Sequence, residues 1–261
     1  MFGAIRLFLK GGVPGRAAAV VIRDAKNASS VTKPSVSLDS RLVEEIVDQL
    51  KRASLHSKAG LLFDALGRVD EALRFYVAGD AFAEAVDLTK RSYTRSGGSG
   101  LGGSTPVEEL LEKWGDFLMR KGGKANAKEA SHRYVEAGHV AKAFDAALEA
   151  GEAEDATRIL DERRETKEIA SSAKIPSDLA SLYLRLAKHH ERVGSFDAAE
   201  SCYLTAGEPL SAVEMHARND RWDAARRVAE KSGDESAVAE TYARRGWRRR
   251  TRPSFCPRRS V

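Results

Sequence analysis

Two cysteines in 261 residues are too few for a disulfide framework, and neither Cys202 nor Cys256 sits in a metal-binding spacing. A reducing interior is therefore the expected compartment. No apolar run is long enough to span a bilayer. The opening MFGAIRLFLKGG has an apolar core, but Arg6 and Lys10 interrupt it, so a secretory signal is not expected. A Ser-centred elbow, a Walker lysine loop and a paired-Cys motif are all missing. The sequence thus offers no catalytic, cofactor-binding or metal-ligating residues, and a non-enzyme is expected. The net charge of +5 also misleads. Residues 241–261 hold eight arginines and no acid, which leaves the preceding 240 with 35 basic and 38 acidic residues. That body reads as a mixed-charge solvated surface rather than a nucleic-acid groove.

What the chain does have is a repeat. In LAKHHERVGSFDAAESCYLTAGEPLSAVEMHARNDRWDAARRVAEKS, Leu186 to Ser232, the residues Ala199, Ala212 and Ala225 recur every thirteen positions. Gly194, Gly207 and Asn219-Asp220 punctuate three short amphipathic runs between them. About ten residues make nearly three helical turns, and a three-residue turn completes the interval. Small residues at fixed positions let helices approach closely, while Tyr203 and Trp222 fill the space beside them. Ser195 suits an N-cap before Phe196, Gly207 a left-handed helix end, and Pro209 a first helical turn.

The same spacing returns at Ala130, Ala143 and Ala156 with Tyr134, and at Ala72 and Ala85 with Tyr76. At the front, Ala4, Phe8, Gly12 and Ala17 match Ala199, Tyr203, Gly207 and Ala212 offset for offset. Helices that cannot bury a face alone must stack on neighbours. The expected fold is all-α, an α-solenoid of antiparallel helix pairs with tetratricopeptide-like repeats, over residues 1–243.

Along the chain, the first helices are expected at about Ala4–Lys10 and Pro14–Asp24, beginning in mid-motif. Polar residues from Ala25 to Asp39 read as an inserted loop. Leu42, Ile46 and Leu50 form one stripe of a helical stretch from Ser40 to about Leu66. SGGSGLGGST, Ser96 to Thr105, reads as a flexible insert, and Thr105-Pro106-Val107-Glu108 as a strong helix start. KGGKAN lengthens the Gly115–Ala130 interval to fifteen, against twelve from Ala187 to Ala199. A further polar break covers Glu165 to Ser177, given as residues 165–177. The tail, 244–261, is expected to be disordered. A boundary imposed on a longer repeat accounts for the start in mid-motif and for the abrupt stop after Ala243 together.

Three stretches resemble chemistry and are read otherwise. Gly98, Gly100 and Gly103 fit G-x-G-x-x-G, but a helix precedes them instead of a strand, so they read as linker. His189, His190 and His216 suggest a metal. Adjacent helical histidines diverge by about 100°, and no carboxylate–histidine pair accompanies them, so partly exposed surface histidines are expected. ARRGWRRRTRPSFCPRRSV, with Trp247 and Phe255, has the makings of a phosphate-tracking, base-stacking segment, or of one that sits on an acidic surface. Basic tails are more often simply solvated, so nucleic-acid binding is disfavoured.

Five segments carry a family resemblance: AIRLFLKGGVPGRAA, AGLLFDALGRVDEALRFYVAGDAFAEAVDLTKR, LEKWGDFLMRK, YVEAGHVAKAFDAALEAG and the Leu186–Ser232 repeat. In content and order they resemble successive parts of the intraflagellar transport protein 172 family. The resemblance runs from Ala4 to about Tyr242, interrupted by the loop at Ala25–Asp39, the glycine insert and KGGKAN. The tail has no counterpart in it. Members of that family place WD40 propellers before a long helical solenoid, and this stretch resembles solenoid alone, with no β-propeller. The resemblance implies a non-enzymatic scaffold in intraflagellar transport complex B, acting in cilium assembly through protein–protein contacts. It implies other intraflagellar transport subunits as partners, with cargo or motor adaptors as a further option, and no small-molecule substrate or cofactor. The implied location is the cilium or flagellum, at axoneme and basal body, and the cytoplasm. A vesicle-coat or trafficking solenoid is the alternative of similar architecture, and a nucleic-acid-binding repeat using the tail is the one from another class.

Overall fold

The computed structural model describes residues 2–29, 40–95, 106–166 and 175–232. Every regular element among them is a helix. In chain order these are α1 (Phe2–Lys10), α2 (Pro14–Ser29), α3 (Ser40–Arg52), α4 (His56–Ala65), α5 (Val69–Ala78), α6 (Phe82–Arg95) and α7 (Pro106–Lys121). There follow α8 (Lys124–Glu136), α9 (Val140–Ala150), α10 (Ala153–Arg164), α11 (Ser177–Val193), α12 (Phe196–Thr205), α13 (Pro209–Arg218) and α14 (Trp222–Ser232). The helices pack mainly on their neighbours in sequence, within two compact units, Met1–His139 and Val140–Val261. This is the all-α helical-repeat class expected of an α-solenoid.

The thirteen-residue interval is the packing register. Ala72, Ala85, Ala130, Ala143, Ala156, Ala199, Ala212 and Ala225 are all fully buried. A β-carbon at Gly60 of α4 would lie 2.6 Å from the Tyr76 ring of α5, and one at Gly115 of α7 would lie 2.6 Å from the Tyr134 ring of α8. Ala187 of α11 stands at the same offset from Tyr203 of α12 as Gly60 does from Tyr76, and both Ala187 and Tyr203 are buried. In the first two pairs a small residue on the leading helix thus receives a tyrosine ring from the trailing one, and Ala187 and Tyr203 keep the spacing of the first. Interiors this dense have no slack for an added methylene.

The same interval spaces the helix ends. After α12, Gly207 turns left-handed at φ 80°. Its N–H donates to the Leu204 carbonyl at 3.0 Å, and the Glu208 N–H reaches back to Tyr203 at 3.0 Å. This pattern satisfies two carbonyls the helix leaves open. The turn after α13 is made the same way by Asp220 at φ 61°, short polar side chains being the usual non-glycine occupants of that region. Pro209 occupies the first turn of α13, and α7 begins at Pro106.

Four local expectations need correction. Ser195 stands at the N-cap of α12 but makes no side-chain capping bond. Its backbone φ and ψ of −84° and 68° belong to the turn, which already uses the Ser195 N–H against the His190 carbonyl at 2.9 Å. Ala25 to Ser29 are helical, because α2 continues to Ser29 instead of ending at Asp24. Ala25, Lys26 and Ala28 are adequate helix formers, and no proline or glycine stops the helix before them. Ala4 does not repeat the burial of Ala199 but is exposed, since α1 packs mainly on α2 whereas α12 lies between α11 and α13. KGGKAN is not all linker: Gly123 caps α8, and Lys124 to Asn126 form its first turn. The remainder of the Ala25–Asp39 segment (30–39), the insert at 96–105, residues 167–174 of the later break, and 233–261 lie outside the described residues.

The packing register predicts a local failure when it is broken. Ala212 is fully buried, whereas Glu214, about 200° around the helix, is exposed. Ala212→Leu is expected to cost about 1–3 kcal/mol by overpacking. Hydrogen exchange should show lost protection concentrated in α12–α14, while Glu214→Ala leaves protection near wild type. Uniform loss along the chain would show that the interval is not the packing register.

Candidate functional site

The residues that first suggest chemistry are kept apart by the fold. His189 and His190 are half-buried on α11, their rings 6.2 Å apart edge to face. Burial and the neighbouring His189 hold His190 below the ordinary histidine range. His216 is not a surface histidine as the sequence suggested; it is fully buried on α13. Its Nε2 lies 2.7 Å from Glu200 Oε2 on α12, and its Nδ1 has no protein hydrogen-bond partner. The periodic pattern of Ala212, Val213, Met215 and Ala217, all buried, carries His216 inward with it. Cys202 is buried on α12, and burial with the nearby Asp161 carboxylate pushes its thiol up to about 11. A thiol so placed is inert at neutral pH. Among the described residues no group of three histidine, cysteine or acidic side chains gathers as a metal would require. Gly98, Gly100, Gly103, Cys256 and the arginine tail lie outside the described residues. Among those described, no helix is long and apolar enough to cross a membrane.

The polar design of the repeat lies along the helix pairs. Tyr134 donates its hydroxyl hydrogen bond to Asp116 Oδ1 at 2.7 Å, Tyr183 to Asp161 Oδ1 at 2.6 Å, and Tyr203 to Glu191 Oε2 at 3.1 Å. Each bond runs from a buried ring to a carboxylate on the preceding helix, so the ring keeps its hydroxyl partnered at the edge of the core. Burial, then the carboxylate partner, raises the Tyr134 and Tyr183 hydroxyls far above the usual tyrosine range.

A second layer skips one helix. Arg91 on α6 pairs with Asp64 on α4 at 3.3 Å, and Arg185 on α11 with Asp145 on α9 at 2.5 Å. Arg218 on α13 reaches Glu191 on α11 at 3.4 Å, and Arg221 before α14 reaches Asp197 on α12 at 2.8 Å. Arg185 and Arg221 also lie over the rings of Phe144 and Phe196, each 5.3 Å from the centroid. In both cases the phenylalanine directly precedes the paired aspartate. A Phe-Asp dipeptide with an arginine farther along the chain was a signal the sequence carried and the spacing of alanines did not reveal. An open groove of about 640 Å³ between α5, α6 and α7 is floored by Val77, Phe82 and Met119 and rimmed by Asp80, Lys113 and Arg120. Asp116, the acceptor for Tyr134, also lines it.

Seam, hydroxyl edge and skipping ion pairs together define a helical-repeat protein. The chain matches a segment of intraflagellar transport protein 172. It is 31% identical over 241 residues to intraflagellar transport protein 172 of Chlamydomonas reinhardtii and 30% identical over 241 residues to the homologue of Mus musculus. It is 27% identical over 239 residues to intraflagellar transport protein osm-1 of Caenorhabditis elegans. Each match covers 92% of this chain and 12% of the relative, so the chain spans about an eighth of the length of these proteins. No protein-family model matches the chain.

The tyrosine edge makes a pH prediction. Burial, with the Asp64 carboxylate nearby, raises the Tyr76 hydroxyl from an ordinary 10.0 to about 12. The folded state therefore favours the neutral hydroxyl more than the unfolded chain does. That stabilisation is complete below pH 10 and is lost as pH climbs toward 12. Tyr76→Phe keeps the ring against Gly60 and removes this dependence. Urea midpoints measured from pH 9 to 12 should fall less steeply in the variant. Parallel curves would show that the Tyr76 hydroxyl is not linked to folding.

Proposed function

We infer that this chain is a non-enzymatic scaffold segment working in intraflagellar transport, through protein–protein contacts along its helices. The observation that carries the reading is the similarity to intraflagellar transport proteins over 92% of the chain, in relatives as distant as an alga and a nematode. The structure is in keeping with it. Stacked helix pairs spread exposed side chains over an extended surface, and a scaffold needs that rather than a pocket of reactive groups. On this reading the chain acts in complex B and cilium assembly, its partners are other intraflagellar transport subunits, and its place is the cilium or flagellum.

Affinity purification of the tagged chain from ciliated cells tests this. Other transport-train subunits should co-purify, and the tag should concentrate along the axoneme and at the basal body. Recovery of vesicle-coat components without any transport subunit would overturn the reading in favour of a trafficking solenoid.

A further inference from the structure

The thirteen-residue interval is lost between α6 and α7, which the insert at 96–105 separates, and the packing there differs from that of the pairs. On one side the turn from α5 to α6 is held against α4. A β-carbon at Gly79 would lie 2.8 Å from the Ser57 backbone nitrogen, and Ser57 Oγ donates to the Gly79 carbonyl at 3.3 Å. On the other side α7 is held against α8 by Gly115 and the Tyr134 ring. Helices α6 and α7 meet instead through Phe82 and Phe117, whose rings are tilted at 42° with centroids 5.4 Å apart. The groove of about 640 Å³ opens beside that contact. Helices α4 and α8 flank α5–α7 within the same unit, so the groove is internal to the repeat. Lys113 and Arg120, both exposed, stand seven residues apart on its α7 wall, about 10 Å at the helical rise. Among the described residues neither makes an ion pair; Arg120 Nε donates to the Asp116 carbonyl of its own helix at 3.3 Å. The Asp116 carboxylate between them already accepts the Tyr134 hydroxyl.

We propose that this groove seats an acidic amphipathic helix of a separate protein, with carboxylates at i and i+7 and leucine-like residues at i+3 and i+4. A helix laid along α7 has the same rise, so carboxylates seven residues apart meet Lys113 and Arg120 together. The four positions share one helical face, which sets the apolar pair over Val77, Phe82 and Met119. Asp80, on the opposite wall, selects a basic residue on the flank of the incoming helix. The arrangement is helix-in-groove recognition. Two segments of the chain itself have the wrong charge for it. The 96–105 insert has no charged residue, and residues 241–261 hold eight arginines and no acid. A second copy does not supply the pattern either. In the described helices every pair of carboxylates seven residues apart, such as Glu129 and Glu136 or Asp223 and Glu230, has a lysine or arginine at i+3 or i+4. The groove follows from the packing and is independent of the transport reading.

The probe is a fluorescein-labelled, alanine-based peptide of about 18 residues, long enough to be helical, carrying one Glu-x-x-Leu-Leu-x-x-Glu motif. Titrating the full 261-residue protein into it and reading fluorescence anisotropy should give saturable binding. Lys113→Glu with Arg120→Glu should weaken binding at least tenfold, and raising salt from 50 to 500 mM should weaken it severalfold. A peptide with lysines in place of both glutamates should bind the charge-reversed protein and not the wild type. Both substituted residues are exposed, so the variant should keep the wild-type melting temperature; Lys113→Gln with Arg120→Gln replaces it should it not. No saturable binding, binding that these substitutions leave unchanged, or equal binding of the lysine peptide to the wild type overturns the proposal. A concentration-dependent dimer that Lys113→Glu with Arg120→Glu abolishes would assign the groove to a second copy and overturn the separate partner.

Discussion

Close approach of paired helices at one small residue is the constraint on which this structure depends. Where Gly60 meets Tyr76, and Gly115 meets Tyr134, the ring of one helix occupies the space a side chain of the other would need. Once that contact is set, the helix must end about ten residues on, and the turn must reverse the chain within three. The left-handed residues at Gly194, Gly207 and Asp220 accordingly keep the thirteen-residue interval of the alanines. Seam and turn are two expressions of one spacing. Neither is adjustable alone, because a one-residue shift in a helix rotates its small residue about 100° away from the ring.

The polar layers follow from the same geometry. A ring driven against a backbone brings its hydroxyl to the edge of the core, where the preceding helix offers a carboxylate: Asp116, Asp161 or Glu191. The arginines that skip a helix lie farther out, on exposed side chains. Such pairs contribute only about 0–1 kcal/mol each. Arg185 to Asp145 and Arg221 to Asp197 each reach past an intervening helix. Deepest among the described polar pairs is His216 with Glu200, where one imidazole nitrogen faces one carboxylate. That is a core hydrogen bond between two helices, and it lacks the third group that would orient a base toward a substrate.

Most of the fold was legible because the seam uses alanine and glycine, which leave a periodic mark in the sequence. Ala72 to Ala225 could be placed in register from spacing alone, and so could Gly207, Asp220, Pro106 and Pro209. What escaped was whatever depends on a neighbour rather than on spacing. Ala4 has the right offset, yet its burial requires a helix on its other side. His216 was read as a surface residue from its type, although Ala212 and Met215 around it place it inside. Ser195 has the right chemistry for a cap, but the turn had already fixed its backbone. The Tyr–carboxylate bonds are invisible to a search for periodicity, because Asp116 and Glu191 stand at different distances in sequence from their tyrosines: eighteen residues in one pair and twelve in the other.

That irregularity is what separates a family from an architecture. A repeat of small residues every thirteen positions specifies helices that stack, and unrelated solenoids under the same packing demand would converge on it. Convergence does not dictate where the interval breaks. Between Gly115 and Ala130 the chain inserts three residues relative to Ala187 and Ala199, absorbed by Gly122 and Gly123, both left-handed at φ 71° and 93°, before α8 begins. Phe-Asp dipeptides stand at Phe63-Asp64, Phe144-Asp145 and Phe196-Asp197; the last two are four intervals of thirteen apart, the first is out of that register, and none stands at the corresponding place on α13 or α14. A likeness built only from the seam would lose register at each such interruption. The match to intraflagellar transport protein 172 instead continues across 241 residues. A stretch of that length spans those interruptions, the places where packing alone leaves the sequence free.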